Sequence, residues 1–231
     1  AATAAVVAAT VKLGKEVISA YADYEQLVGG VETLFKDSSG KVMEYATDAY
    51  KTAGLSANEY METVTGFSAS LISSLGGDTE KAAEYANMAI TDMSDNANKM
   101  GSDMASIQNA YSGFAKQNYT MLDNLKLGYG GTKEEMQRLL EDAEKLSGVK
   151  YDISSYSDII DAIHVIQTEM GITGTTAKEA EATISGSIGM LKSSFQNLIT
   201  GLGDADADID KLCDNVVNSF SSVAKNVTPV I

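Results

Sequence analysis

One proline, Pro229, stands near the end of this 231-residue chain, and none precedes it. Proline is the residue that most strongly ends a helix, so the chain before it can be helical wherever other signals permit. The remaining punctuation is glycine. Several glycines stand just ahead of helix-start signals, as in Leu75-Gly76-Gly77-Asp78-Thr79-Glu80-Lys81 and Gly128-Tyr129-Gly130-Gly131-Thr132-Lys133-Glu134-Glu135. This pattern describes a run of helices with soft joints. The side chains that most often carry chemistry are scarce, with one His, one Cys and no Trp.

Apolar residues make up 44% of the chain, which places it among ordinary globular sequences rather than disordered ones. Only 7% are aromatic, and much of the apolar count is alanine, which suits thin helical packings. The formal charge is −15, from 17 basic and 32 acidic residues. A nucleic-acid binder needs a basic footprint to displace counterions, so such binding is not expected. Tight adhesion to anionic membrane is disfavoured for the same reason. Cys213 stands alone and reads as a small buried hydrophobe. The first residue is alanine and the last residues do not resemble a finished terminus, so the chain reads as a segment of a longer protein. Ala1–Val11 is an uncharged small-apolar run, a poor signal peptide and too short to span a bilayer. It reads as an alanine-rich helix or as the edge of a longer hydrophobic stretch.

The expected fold class is all-α, with about eight helices, glycine joints, helical hairpins and coiled-coil-like seams. The first helix runs from about Ala2 through Tyr24, and a second covers Lys41 to about Lys51. Gly54-Leu55 breaks the second, and Ser56-Ala57-Asn58-Glu59 supplies a capping box for the third. Asp78 can cap the fourth, which reaches about Lys99. Thr132 with Glu135 and Thr176 with Glu179 read as further capping boxes. Expected divisions are an apolar lead-in over 1–19, a helical part over 20–127, a second over 128–203, and a C-terminal helix with an acidic start over 204–231. The break falls near Gly128–Gly131.

Two stretches carry heptad spacing. From Ser102 to Leu127, Met104, Ile107, Tyr111, Phe114, Asn118, Met121 and Leu125 recur in alternating steps of three and four, which predicts one helix with a self-association seam. Asn118 either fixes register in that seam or is partly buried in an ordinary helical hairpin. Ile184, Ile188, Leu191, Phe195, Leu198 and Leu202 repeat the rhythm in steps of four and three. The seams imply helix partners, within the chain or between copies. A fully extended helical path would approach about 350 Å at ~1.5 Å per residue.

Several patterns resemble sites and fail on detail. Asp204, Asp206, Asp208 and Asp210 alternate like a calcium loop, but Ile209 and Asn215 occupy the positions that need glycine and a bidentate glutamate. An acidic helix start explains the run better. Gly128–Lys133 lacks the glycine–lysine–hydroxyl ending of a phosphate loop and follows a helix rather than a strand. Ser38 and Lys41 have nucleophile-plus-lysine spacing without supporting motifs. His164 has no second His and only one Cys to complete a zinc site, so it reads as a packed or capping residue. No catalytic residue, metal or cofactor is expected.

One resemblance is specific. Tyr111-Ser112-Gly113-Phe114-Ala115-Lys116-Gln117-Asn118-Tyr119-Thr120-Met121-Leu122-Asp123-Asn124-Leu125-Lys126-Leu127-Gly128-Tyr129-Gly130-Gly131-Thr132 resembles the core of tail tape-measure proteins of long-tailed phages and prophages. Ile172-Thr173-Gly174-Thr175-Thr176-Ala177-Lys178-Glu179-Ala180, Ile184-Ser185-Gly186-Ser187 and Ser194-Phe195-Gln196-Asn197-Leu198 are similar to the same core. So are Tyr24–Phe35 and Ala53–Asn58, and the blocks stand in order from about Val11 to Gly203. The region after Asp204 matches less distinctly. The resemblance implies a structural protein, not an enzyme, that sets tail length during assembly and leaves ahead of the DNA at infection. It implies a homo-oligomer of three copies, or six, in the virion tail, assembled in the bacterial host cytoplasm. Implied partners are the tail tube protein, distal tail and hub proteins, and tail assembly chaperones, with no sequence-specific nucleic acid. A membrane-active ejection module contacting the host membrane is the alternative, and contractile bacteriocin particles use the same kind of component.

Overall fold

The computed structural model describes residues 2–228, and side chains from residue 10 onward. Pro229 and most of the Ala1–Val11 run therefore lie outside the described side chains. Among the described residues the chain is all-α with no strand. It forms ten α-helices: α1 Ala2–Phe35, α2 Ser39–Thr52, α3 Ala57–Ser74, α4 Thr79–Met100, α5 Met104–Phe114, α6 Lys133–Ser147, α7 Tyr156–Glu169, α8 Thr175–Ala182, α9 Ile184–Gly201 and α10 Ile209–Val227. Short 3-10 turns cover Lys36–Ser38 and Leu122–Leu125.

Local chemistry sets most boundaries. The Ser56 capping box is complete: the Glu59 amide donates to Ser56 Oγ at 3.3 Å, and the Ser56 amide donates to Glu59 Oε2 at 2.8 Å. Asp78 caps α4 through the Lys81 amide at 2.9 Å. Left-handed Gly101 and Gly148 stop α4 and α6, a conformation that costs glycine nothing.

The expected helix over Ser102–Leu127 does not form. Helix α5 ends at Phe114, and Asn118 is the reason. Its amide donates back to the Gly113 carbonyl at 2.9 Å, while its Oδ1 accepts from the Thr120 amide at 3.1 Å and from Thr120 Oγ1 at 2.8 Å. An asparagine side chain that bonds the backbone two residues on competes with the helix and turns the chain. Ile107, Tyr111 and Phe114, with Leu125 from the following 3-10 turn, are buried in the chain's own core. The three-four spacing reports core burial across a reversal, not a continuous seam. Met121 is 42% exposed and lies apart from them.

The helices fold back on one another rather than run extended. One apolar core spans Val31 to Ile172, with Tyr60, Tyr111, Phe35, Phe114 and Met61 among its largest fully buried side chains. Residues on both sides of Gly128–Gly131 contribute to it, so the two expected helical parts share one core. A smaller cluster of Tyr50, Ala180 and Met190 attaches the α8–α9 region to α2.

The Gly128–Gly131 joint is not soft. Gly130 donates its amide to Glu135 Oε2 at 2.9 Å, and Arg138 stacks on the Tyr129 ring with its guanidinium carbon 4.3 Å from the centroid. Arg138 Nη2 also donates to the Gly128 carbonyl at 2.8 Å. A Cβ on Gly131 would collide with the backbone carbonyl of Thr120. Gly131→Ala is accordingly expected to cost about 1–3 kcal/mol in urea unfolding, because backbone must move to admit a methyl group. Gly66→Ala, at an exposed α3 position with open space around its Cβ, should instead gain up to about 1 kcal/mol.

Candidate functional site

Two features stand out from the helical packing, one buried and polar, the other exposed and apolar. The buried feature starts in α4, where Asp92, Met93, Ser94, Asp95 and Asn96 are all buried. Buried polar groups persist only where hydrogen bonds replace water, and each carbon–oxygen or amide group here reaches another element. Both Asp92 carboxylate oxygens contact His164 Nδ1 of α7, at 2.9 and 3.0 Å. Gln167 Nε2 donates to the Asp92 carbonyl at 3.1 Å. Asn96 Nδ2 donates to Gln167 Oε1 at 2.8 Å and to the Leu125 carbonyl at 2.9 Å.

Asp95 performs a cap at a distance. Its carboxylate accepts from the Gly174 amide at 2.6 Å and the Thr176 amide at 2.8 Å, at the start of α8. A carboxylate at a helix N-terminus satisfies orphan amides and opposes the helix dipole. Thr176 therefore does not form the expected capping box with Glu179. It lies inside α8, whose N-cap position is Gly174. Likewise the Thr132 box is only half formed. Thr132 accepts from the Glu135 amide, but the Glu135 carboxylate turns to Gly130 and Arg138, and that pairing with Arg138 holds its pKa down to about 2.

His164 was expected to be packed or capping, and it is packed against a carboxylate. The hydrogen bond to Asp92 pushes the imidazole pKa up, against the opposing pull of partial burial. Burial pushes the Asp92 carboxyl up despite the histidine beside it. Its Nδ1 is spent on a carboxylate that is itself 1% exposed. No nucleophile bonds this pair among the described residues, so its geometry fits a latch between α4 and α7 rather than an acid–base centre.

The exposed feature is the hairpin of α9 and α10. Asn226 Nδ2, at the end of α10, donates to the carbonyls of Glu181 and Thr183 just before α9, so the two helices run antiparallel. Gly201 of α9 abuts the Leu212 side chain of α10, and Ser187, Ser194 and Gly201 recur every seventh residue on the buried side of α9. The second heptad stripe survives as a coherent surface. Ile184, Ile188, Phe195 and Leu202 are 37–50% exposed and fall within about 40° of one another on the helix wheel. Leu191 and Leu198 are half-buried toward α10.

Helix α10 extends that surface. Its only buried residue is Ser219, while Val217 and Phe220 are each 61% exposed. Cys213 is exposed as well, which corrects the expectation of a buried thiol. It stands two turns before Phe220 on nearly the same helix face. Antiparallel neighbours mirror each other's rotation, so both exposed stripes emerge on the same side of the hairpin. Half-buried Val216 and Val223 lie along the line between them.

The remaining candidates have ordinary partners. Ser38 Oγ shares a hydrogen bond with Thr79 Oγ1, and Lys41 pairs with Glu84 at 2.6 Å. Asp208 caps α10 through the Lys211 amide at 3.0 Å, as an acidic helix start requires. Among the described residues no cluster of three His, Cys, Asp or Glu side chains could hold a metal ion, and no helix is long and apolar enough to cross a membrane. Comparison with protein-family models, with curated proteins and with solved structures gives no match.

The latch carries a pH signature. Because the folded pKa of His164 lies above its ordinary value of 6.5, its stabilising effect is complete below about pH 6.5 and is lost as pH rises through the folded value. His164→Ala is expected to cost about 2 kcal/mol at pH 6, leaving Asp92 buried without its partner. The difference between the two proteins in urea unfolding should shrink as pH is raised toward 9.

Proposed function

We propose that this chain is the core part of a tail tape-measure protein, a structural component of a long-tailed phage, a prophage or a phage-tail-like particle. The observation that carries this reading is the ordered series of family-like blocks from Tyr24-Glu25-Gln26-Leu27 to Ser194-Phe195-Gln196-Asn197-Leu198. An all-α chain whose most notable polar cluster is a packing latch is compatible with a structural role. The role includes setting tail length, self-association in three copies or six, and contact with tube, distal tail, hub and assembly-chaperone proteins. The chain itself is not an enzyme in this reading, and it leaves the virion tail before the DNA.

The back-folded helices sharpen what such a role means. A helix-extended segment would contribute ~1.5 Å of tail per residue. A compact fold of this size has a radius of gyration of only about 17 Å. Here the segment is a folded module along the tape, not a stretch of ruler. Deleting residues 10–228 in frame from the encoding element tests both parts by electron microscopy of particles. Failed tail assembly, or tails that lose only a few tens of ångströms, is the expected result. Loss of about 330 Å would show that the module is read out extended. Normal tails with unchanged length and full infectivity would overturn the proposal.

The apolar α9–α10 face favours one second reading, insertion into the host envelope during genome ejection. Dye leakage from vesicles at micromolar protein separates it from the structural role.

A further inference from the structure

We infer that the outer face of the α9–α10 hairpin is the surface through which a second copy of this chain docks. The occupant follows from charge and area. Over the whole chain acidic residues outnumber basic ones 32 to 17, so two copies approaching at random repel each other. The hairpin face is the exception. Helix α9 contains no Asp or Glu and a single basic residue, Lys192. The four charged residues of α10, Asp210, Lys211, Asp214 and Lys225, all fall at least about 80° away from Phe220 on the helix wheel. What remains is Ile184, Ile188, Phe195 and Leu202 beside Val217 and Phe220, all substantially exposed.

An uncharged face on an acidic protein repels its own kind least and gives a basic partner no carboxylate to grip. Two helices of this length, side by side at ~9 Å, offer a footprint of about 500–600 Å². Doubled across an interface, that reaches the ~1,000 Å² at which contacts become specific. Apolar surface of this extent also exceeds what a soluble monomer ordinarily shows without a use for it. The heptad rhythm of α9 supplies the knobs, and the hairpin makes the docked arrangement a bundle of four or more helices. Nothing in α5 contributes, since its heptad residues other than Met104 are buried in the chain's own core.

The inference rests on the tape-measure reading only for the number of copies expected in a particle. Sedimentation of the purified chain tests the face without any particle. The expected result is a mass of two or more times 24.3 kDa at tens of micromolar, falling to one chain on dilution. Phe195→Asp and Phe220→Asp should each shift that midpoint at least tenfold upward in concentration, with the helical circular dichroism unchanged because both rings are already half or more exposed. Val149→Asp, an equally exposed apolar residue in the α6–α7 connection, should leave it alone. Cys213 gives a second readout, since its reaction with a maleimide should slow as self-association proceeds. A chain that stays monomeric at 200 µM, or one that self-associates equally well with both aspartates, overturns the inference. Monomeric protein that instead binds phosphatidylcholine vesicles through Phe195 and Phe220 would assign the face to lipid and overturn it as well. None of these results bears on whether the chain sets tail length.

Discussion

The polar run of α4 holds this molecule together. Between Asp92 and Asn96 one helix reaches α7 through His164 and Gln167, the 3-10 turn through the Leu125 carbonyl, and α8 through the Gly174 and Thr176 amides. A helix core made of alanine and methionine can slide along its neighbours with little penalty, because dispersion contacts are alike in many registers. Directional hydrogen bonds from buried groups remove that freedom, since each unmet group would cost about 1–3 kcal/mol. The α4 network therefore selects one arrangement among the many that apolar burial alone would allow.

Much of the fold is legible in the sequence because helix starts are local events. The Ser56 box, the Asp78 and Asp208 caps and the Thr132 cap each involve groups three residues apart, and all four form. What the sequence conceals is long-range. Asp95 caps α8 from a residue 79 positions from Gly174, and no spacing rule connects them. The signal that was present is weaker. Two aspartates and an asparagine interrupt a stretch whose other members, Ala86, Ala89, Ile90 and Met93, mark the buried face.

The two heptad stretches show why spacing alone does not separate core from interface. They are nearly equivalent as patterns, yet Asn118 turns the first into a corner of the core, while the second runs uninterrupted along α9. The difference lies in one side chain that can satisfy backbone groups locally. Read as a turn former rather than as a seam polar residue, Asn118 between Gln117 at φ 56° and Tyr119 is consistent with what forms. The exposed face on α9 and α10 was half visible. Its α9 stripe is periodic, but the share of α10 depends on antiparallel packing that only the structure supplies.

The joint between the hairpin and the rest of the molecule has a mechanical consequence. On its inner side α9 presents serines and glycine, with Met190 as its one large buried residue, and Ser193 and Asn197 bond the Gly54 carbonyl and the Ala57 amide. Little apolar area is lost if that layer lifts, whereas opening α3 or α4 would expose rings and aliphatic chains throughout the centre. Tension applied at the C-terminal end would therefore peel α10 and α9 away in sequence while the interior stays shut. The protein would yield in two stages, a compliant outer layer first and a stiff remainder later, so its length under load would step rather than stretch.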